Sequence, residues 1–149
     1  MAKNLWLWPM AAWLLMASGC STFNYEWRQA AKRPLPPQGV EGRWEGYWRS
    51  HSNGHYDKMR ALITPAGTNR YDVRFHAAYK KGLTVYFGYT VSMEATPSTE
   101  GMSFRGQEDL GVLAGGLYTY EGRANHTNFF STYDSKYDRG VFQMWRPVE

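Results

Sequence analysis

The sequence predicts an all-β domain, an antiparallel up-and-down barrel of about eight strands, with a two-sheet sandwich as the alternative. Three observations lead there. Apolar and polar residues alternate with a period of two in short runs, the signature of strands that bury one face. Turn-forming residues separate the runs, and the chain carries 15 glycines and 7 prolines. Beyond Glu41, no stretch sustains a 3.6-residue apolar period over three turns.

The elements follow in order. Gly42 to His51 (GRWEGYWRSH) sets Trp44 and Trp48 at even spacing, on one face of a strand. Asn53-Gly54 predicts a two-residue hairpin turn pairing Ser52 with His55 and His51 with Tyr56. The second strand, Tyr56 to Thr64, places Met59, Ala61 and Ile63 on one face and Lys58, Arg60 and Leu62 on the other. After Pro65 to Asn69, the third, Arg70 to Ala77, sets Tyr71, Val73, Phe75 and Ala77 against Arg70, Asp72, Arg74 and His76, so His76 is expected on a wet face.

A fourth strand from Thr84 to Glu94 aligns Val85, Phe87, Tyr89, Val91 and Met93. A fifth follows at Met102 to Asp109, then an apolar, glycine-rich loop from Gly111 to Gly116. Leu117 to Ala124 and Thr127 to Tyr133 form a hairpin, and Gly140 to Arg146 is the last strand. Closing such a meander removes exposed edges. Eight strands enclose an interior just wide enough to be filled by side chains or to hold one small ligand. Tyr86, Phe87, Tyr89, Phe104, Tyr118, Tyr120, Phe129 and Phe130 supply aromatic volume for either outcome.

The N-terminal part reads differently. Lys3 precedes an uncharged apolar run, Leu5 to Ser18, and small residues lead to Cys20, the one cysteine of the chain. A charged start, a short apolar middle and a small-residue exit describe a secretory signal peptide with a helical leader, residues 1–19. Pro9 interrupts the run, which falls short of the roughly 20 apolar residues of a spanning helix. Residues 20–40 contain Pro34, Pro36 and Pro37 and predict an extended linker, with a short helix over Tyr25 to Ala30 packed on the body as the alternative. Residues 41–149 are the barrel domain.

Ala17-Ser18-Gly19-Cys20 resembles the bacterial lipobox, which implies that Cys20 is acylated (a palmitate-type modification) and becomes the mature N-terminus. Ser21, standing where an Asp would signal retention, implies sorting to the outer membrane, on its periplasmic side. Two or more acyl chains give a stable anchor, so the resemblance implies the lipid bilayer as a partner. With one cysteine in the chain, no internal disulfide forms.

GRWEGYW resembles the Gly-x-Trp signature of lipocalin-type calycin barrels. That resemblance implies a tryptophan, Trp44 after Gly42, packed across the closed end beside an arginine near the last strand, Arg146. The family's Thr-Asp-Tyr motif is absent from the sequence. The GRWEGYW…YDRGVFQMWRP pairing also resembles a set of small bacterial lipoproteins with no assigned activity.

The 17 basic residues outnumber 13 acids, and without Lys3 the excess falls to three. Lys32-Arg33 and Lys80-Lys81 are the only adjacent basic pairs, so no stripe for nucleic acid is present. No nucleophile elbow or phosphate-cradling loop occurs, and Glu108-Asp109, adjacent on a strand, point to opposite faces. The reading is therefore a non-enzymatic binding or structural protein without a cofactor. If it takes a small apolar ligand, Val85, Phe87, Tyr89 and Val91 line the site and Trp44 closes it below. A second reading is an envelope-protein partner at the wet outer face and the Asp134 to Gly140 turn, where Gly140 is expected to supply backbone freedom. A third is metal or haem held by histidines, with His51 and His55 beside Asp57 at the rim, or His76 or His126 alone. Asn125-His126-Thr127 matches a glycosylation acceptor, which a bacterial lipoprotein seldom uses.

Overall fold

A computed structural model describes residues 22–148. The expected leader and Cys20 lie outside the described residues. The body is a closed antiparallel barrel in sequential order: β1 (Gly42–Ser50), β2 (Tyr56–Gly67), β3 (Arg70–Lys81), β4 (Leu83–Ser98), β5 (Gly101–Asp109), β6 (Leu117–Ala124), β7 (Asn128–Ser135) and β8 (Arg139–Trp145). Pairing of β1 with β8, from Glu45↔Trp145 to Ser50↔Gly140, closes the ring. The sandwich alternative is thereby set aside.

Period-two patterning decides what faces inward. Trp44, Ala61, Ile63, Val73, Phe75, Val91, Met93, Phe104, Phe129, Phe142 and Met144 form one contiguous core. Strands outrun their sequence-based ends at β2, β3 and β4, where pairs such as Pro65↔Tyr71, Lys80↔Thr84 and Ala95↔Phe104 continue the ladder. The first turn also differs from expectation. Arg49 pairs with Tyr56, and Ser50 N donates to His55 O, so the loop is longer than two residues. Ser50 Oγ accepts from the amides of Ser52 and Asn53 (3.2 Å each), which holds this wider loop in place of the tight turn.

One end of the barrel is sealed. Trp44, fully buried, donates from Nε1 to Val40 O at 2.8 Å. The Arg146 guanidinium lies 4.1 Å from the Trp44 ring centre and donates to the carbonyls of Gly39, Glu41, Arg43 and His126. This is the closed-end pairing that Gly42, Trp44 and Arg146 implied. The guanidinium ties the incoming chain, β1 and the β6–β7 turn to the outgoing chain, because planar donors in a fork can satisfy several carbonyls at once.

Residues 22–31 form a helix, α1, rather than an extended linker. Phe23, Trp27 and Ala30 recur at i, i+4 and i+7 and so make one apolar face. Phe23 is buried and stacks on His76, with centroids 4.6 Å apart and planes within 10°. Arg60 lies 5.1 Å from the Trp27 ring centre, and Arg74 pairs with Glu26. His76 is therefore buried beneath α1, not wet. Bonds from Lys32 N to Gln29 O and Arg33 N to Ala30 O tighten the last turn before Pro34. The extended reading holds only from the prolines onward.

The barrel wall is incomplete on one side. β3 and β4 pair along their whole length, to Lys81↔Leu83. β4 and β5 pair only from Met93↔Gly106 to Ser98↔Gly101, while β5 continues with β6 to Asp109↔Leu117. Residues 83–92 thus present an edge with no ladder partner among the described residues, opposite the end of β5 and the loop that follows it.

Candidate functional site: a cleft at the open end

The core fills the sealed half of the barrel and stops short of the other end. A cleft of about 1220 Å³ occupies the open half. Its floor is Met59, Tyr120, Tyr133 and Phe142, all buried. Phe142 anchors that floor, with ring centres 4.9 Å from Tyr133, 5.1 Å from Phe75 and 6.0 Å from Tyr120. Walls come from Trp48, Tyr79, Phe87, Tyr89 and Tyr118, and Leu110, Val112 and Leu113 stand at the rim.

Each wall residue is placed by strand alternation. Phe87 and Tyr89 follow the inward parity of β4, and Tyr118 and Tyr120 that of β6. Trp48 is fixed by a 2.8 Å bond from its Nε1 to Ala78 O, which leaves its apolar ring facing the cleft. At the unpaired β4 edge the cleft continues around the wall to Tyr86, Gly88 and Thr90 and reaches Phe23 of α1. A Cβ on Gly88 would meet nothing closer than Phe75 O at 3.8 Å, so the wall is thin there.

Polar groups in the cleft are few. Asp138 accepts from Ser50 Oγ at 2.6 Å and from Tyr133 OH at 3.1 Å, which draws the β7–β8 turn inward. Burial pushes the Tyr133 hydroxyl well above its ordinary pKa, and the Asp138 carboxylate adds to this. Burial likewise raises Tyr89 and Tyr120, so all three remain protonated donors. The Tyr120 hydroxyl is buried and interacts with that of Tyr89.

Of the residues singled out in the sequence, Phe87 and Tyr89 line the cleft. Val85 lies on the same strand, half exposed, and is not among the lining residues. Val91 and Trp44 are wholly buried in the sealed core, so Trp44 closes the barrel without touching the cleft. Tyr86 and Phe130, counted with the interior aromatics, point outward: Tyr86 stacks on His76 at 5.1 Å and Phe130 is exposed.

His55 turns its ring onto Tyr79 (4.2 Å) and Trp48 (5.0 Å), with Nε2 3.6 Å from Asp57 Oδ2, whereas His51 is exposed. Among the described residues, no group of three His, Cys, Asp or Glu side chains gathers as a metal site. His126 is exposed and contributes its backbone carbonyl to Arg146. His76 lies between Phe23 and Tyr86, and its Nε2 is buried with no partner among the described residues. Gly140 serves close approach rather than backbone freedom, since a Cβ there would sit 2.0 Å from Arg49 O.

Strand parity alone would have given the floor: Tyr133 and Phe142 share the inward parity of their strands. The unpaired β4 edge has no sequence signal, because pairing partners are a property of the sheet. No family model, curated protein or solved structure matches this chain.

Proposed function

We propose that the protein is an acyl-anchored protein of the bacterial envelope, tethered through Cys20, whose barrel takes the apolar chain of a small amphipathic molecule into the open-end cleft. One observation supports this above the others: the barrel is filled at one end and open at the other, with aromatic walls around a cleft that, together with its extension over the β4 edge onto the outer wall, measures about 1220 Å³. Ligand sites typically span about 300–1,000 Å³, mostly apolar with a few convergent polar groups. This cleft is of that kind.

The chemistry of the walls selects the ligand class. Each methylene moved from water into such surroundings contributes about 0.8 kcal/mol. Asp138 is the one acid in the lining, and the one cation, Arg74, lies on the outer stretch and is paired with Glu26. A carboxylate or phosphate head would meet repulsion from Asp138 and no cation deep inside, so the chain enters and the head stays near the rim. The tyrosine hydroxyls can receive a neutral oxygen along the chain. Catalysis has less support: Asp138 is already committed to Ser50 and Tyr133, and Glu108 and Asp109 diverge.

Native mass spectrometry of the protein purified from its own source tests the reading. The expected spectrum shows an added mass of a small amphipath that organic extraction removes. A bare polypeptide mass, together with no uptake of an added fatty chain, contradicts it.

A further inference from the structure

We infer that the open end of the barrel is a membrane-docking surface, and that the unpaired stretch of β4 marks a side passage through which one acyl chain moves from a bilayer into the cleft. This rests on the proposed apolar ligand and adds its source, its route and the orientation of the molecule.

The rim is where large apolar side chains stand clear of the barrel. Leu83 is 82% exposed, Val112 90% and Leu113 105%, with Leu117 and Tyr137 also exposed. They come from three loops of one end, at the tips of strands. Isolated surface leucines are ordinary, but several bulky residues projecting from adjacent loop tips suit insertion between lipid heads. Lys80 and Lys81, exposed beside Leu83, and Lys136, exposed beside Tyr137, can reach anionic headgroups with their stems along the apolar surface. Three acids of this end are tied into the protein, leaving Asp134 and Glu108 at the strand ends: Asp57 accepts from Lys58 N and Lys80 N, Asp109 from Gly111 N, and Asp138 from Ser50 and Tyr133.

Two further observations choose a bilayer over a protein strand as the occupant. First, one added strand would cover only the free β4 edge, whereas the exposed apolar residues run from that edge (Val85, Tyr86 and Phe87) onto the tips of three separate loops (Leu83, Val112, Leu113, Leu117 and Tyr137), a spread that a lipid surface covers. Second, α1 runs from the level of His76, where Phe23 packs, toward the sealed end, where Trp27 meets Arg43. Its first residue is therefore its end nearest the mouth, and Phe23 borders the cleft. Two peptide links separate Thr22 from Cys20, a reach of at most about 7 Å. A tether leaving there starts at mid-height on the wall, where Thr22 accepts from Arg74, on the side where Phe23 borders the cleft.

The passage itself is the gap between β4 residues 83–92 and the end of β5. Because the cleft lining continues from Phe87 and Tyr89 inside to Tyr86, Gly88 and Thr90 outside, a flexible chain slides in sideways while its head stays at the surface. It need not leave the bilayer end-first, which would expose the whole chain to water.

Photo-crosslinking of the full chain on vesicles of phosphatidylethanolamine and phosphatidylglycerol tests this. A diazirine residue is placed at position 113 (rim), at 88 (passage) or at 69 (sealed end). Lipid adducts are expected at 113 and 88 and not at 69. Lys80→Glu with Lys81→Glu should lower the adduct at 113 at least about tenfold on anionic vesicles and leave it unchanged on phosphatidylcholine alone. Equal labelling at 69 and 113, a protein adduct in place of lipid, or no vesicle association overturns the inference. An extractable ligand found by mass spectrometry beside an unlabelled rim would refute the docking while leaving the ligand reading intact.

Discussion

Arg146 is the point at which one substitution should cost most for the atoms removed. Its guanidinium donates to four main-chain carbonyls, at 2.7 Å to Glu41, 3.0 Å to Gly39 and His126, and 3.2 Å to Arg43, and it covers the Trp44 ring at 4.1 Å. A hydrogen bond involving a charged group is worth about 1.5–3 kcal/mol net, and a desolvated cation–π contact about 2. These do not add in full, because bonds sharing one side chain are coupled and water reaches a half-buried group. Arg146→Ala should therefore lose about 3–5 kcal/mol. Arg146→Lys keeps a charge but only part of the fork, and should lose about 2–3 kcal/mol. At about 4 °C per kcal/mol for a domain of this size, the alanine variant melts about 12 to 20 °C lower. Urea unfolding followed by tryptophan fluorescence measures the loss, with the exposed Arg139→Ala expected within about 0.5 kcal/mol of the parent. A loss below about 1 kcal/mol for Arg146→Ala, or a lysine variant as stable as the parent, would refute the reasoning.

Four further outcomes follow from the same geometry. Gly140→Ala places a Cβ 2.0 Å from Arg49 O and 2.6 Å from Tyr133 OH, and should cost at least about 2–3 kcal/mol by thermal unfolding. Gly54→Ala meets no atom within 4 Å but has φ +75°, so it should cost about 1–2 kcal/mol from the left-handed backbone alone. Burial, then Arg60 and Arg74, lower the His76 pKa below its ordinary value. Unfolding thus raises its proton affinity: the stability is whole above the unfolded value near 6.5 and declines as pH falls below it. His76→Phe should flatten that decline, although Glu26 beside Arg74 offsets part of the positive field. Phe23→Ala should cost about 3 kcal/mol by urea unfolding, speed proteolysis within residues 22–31, and return the His76 titration toward normal by NMR.

The strands were legible because each buries one face, and alternation encodes that directly. The second strand shows it well: Met59, Ala61 and Ile63 point in, as their spacing requires. Its partner face shows the limit. Leu62 and His76 belong to the outward set, yet they are buried, because α1 covers part of that surface. The helix was readable from Phe23, Trp27 and Ala30, but fewer than three turns fall below the length at which the period stands out, and three prolines nearby argued for an extended chain. The first turn followed Ser50 and its side-chain hydrogen bonds instead of the Asn-Gly pair. Half of the cleft wall was readable from β4 parity at Phe87 and Tyr89. That Val91 falls into the filled half depends on where the core ends, which side-chain volumes across eight strands decide together.

A crystal structure of the protein purified from its own source, without delipidation, tests the central claim most directly. The half-open barrel predicts a continuous, unbranched feature running from Phe142 past Phe87 and Tyr89 toward the gap beside β4. A cleft holding only ordered water, or side chains of the 110–116 loop folded down to fill it, would contradict the account.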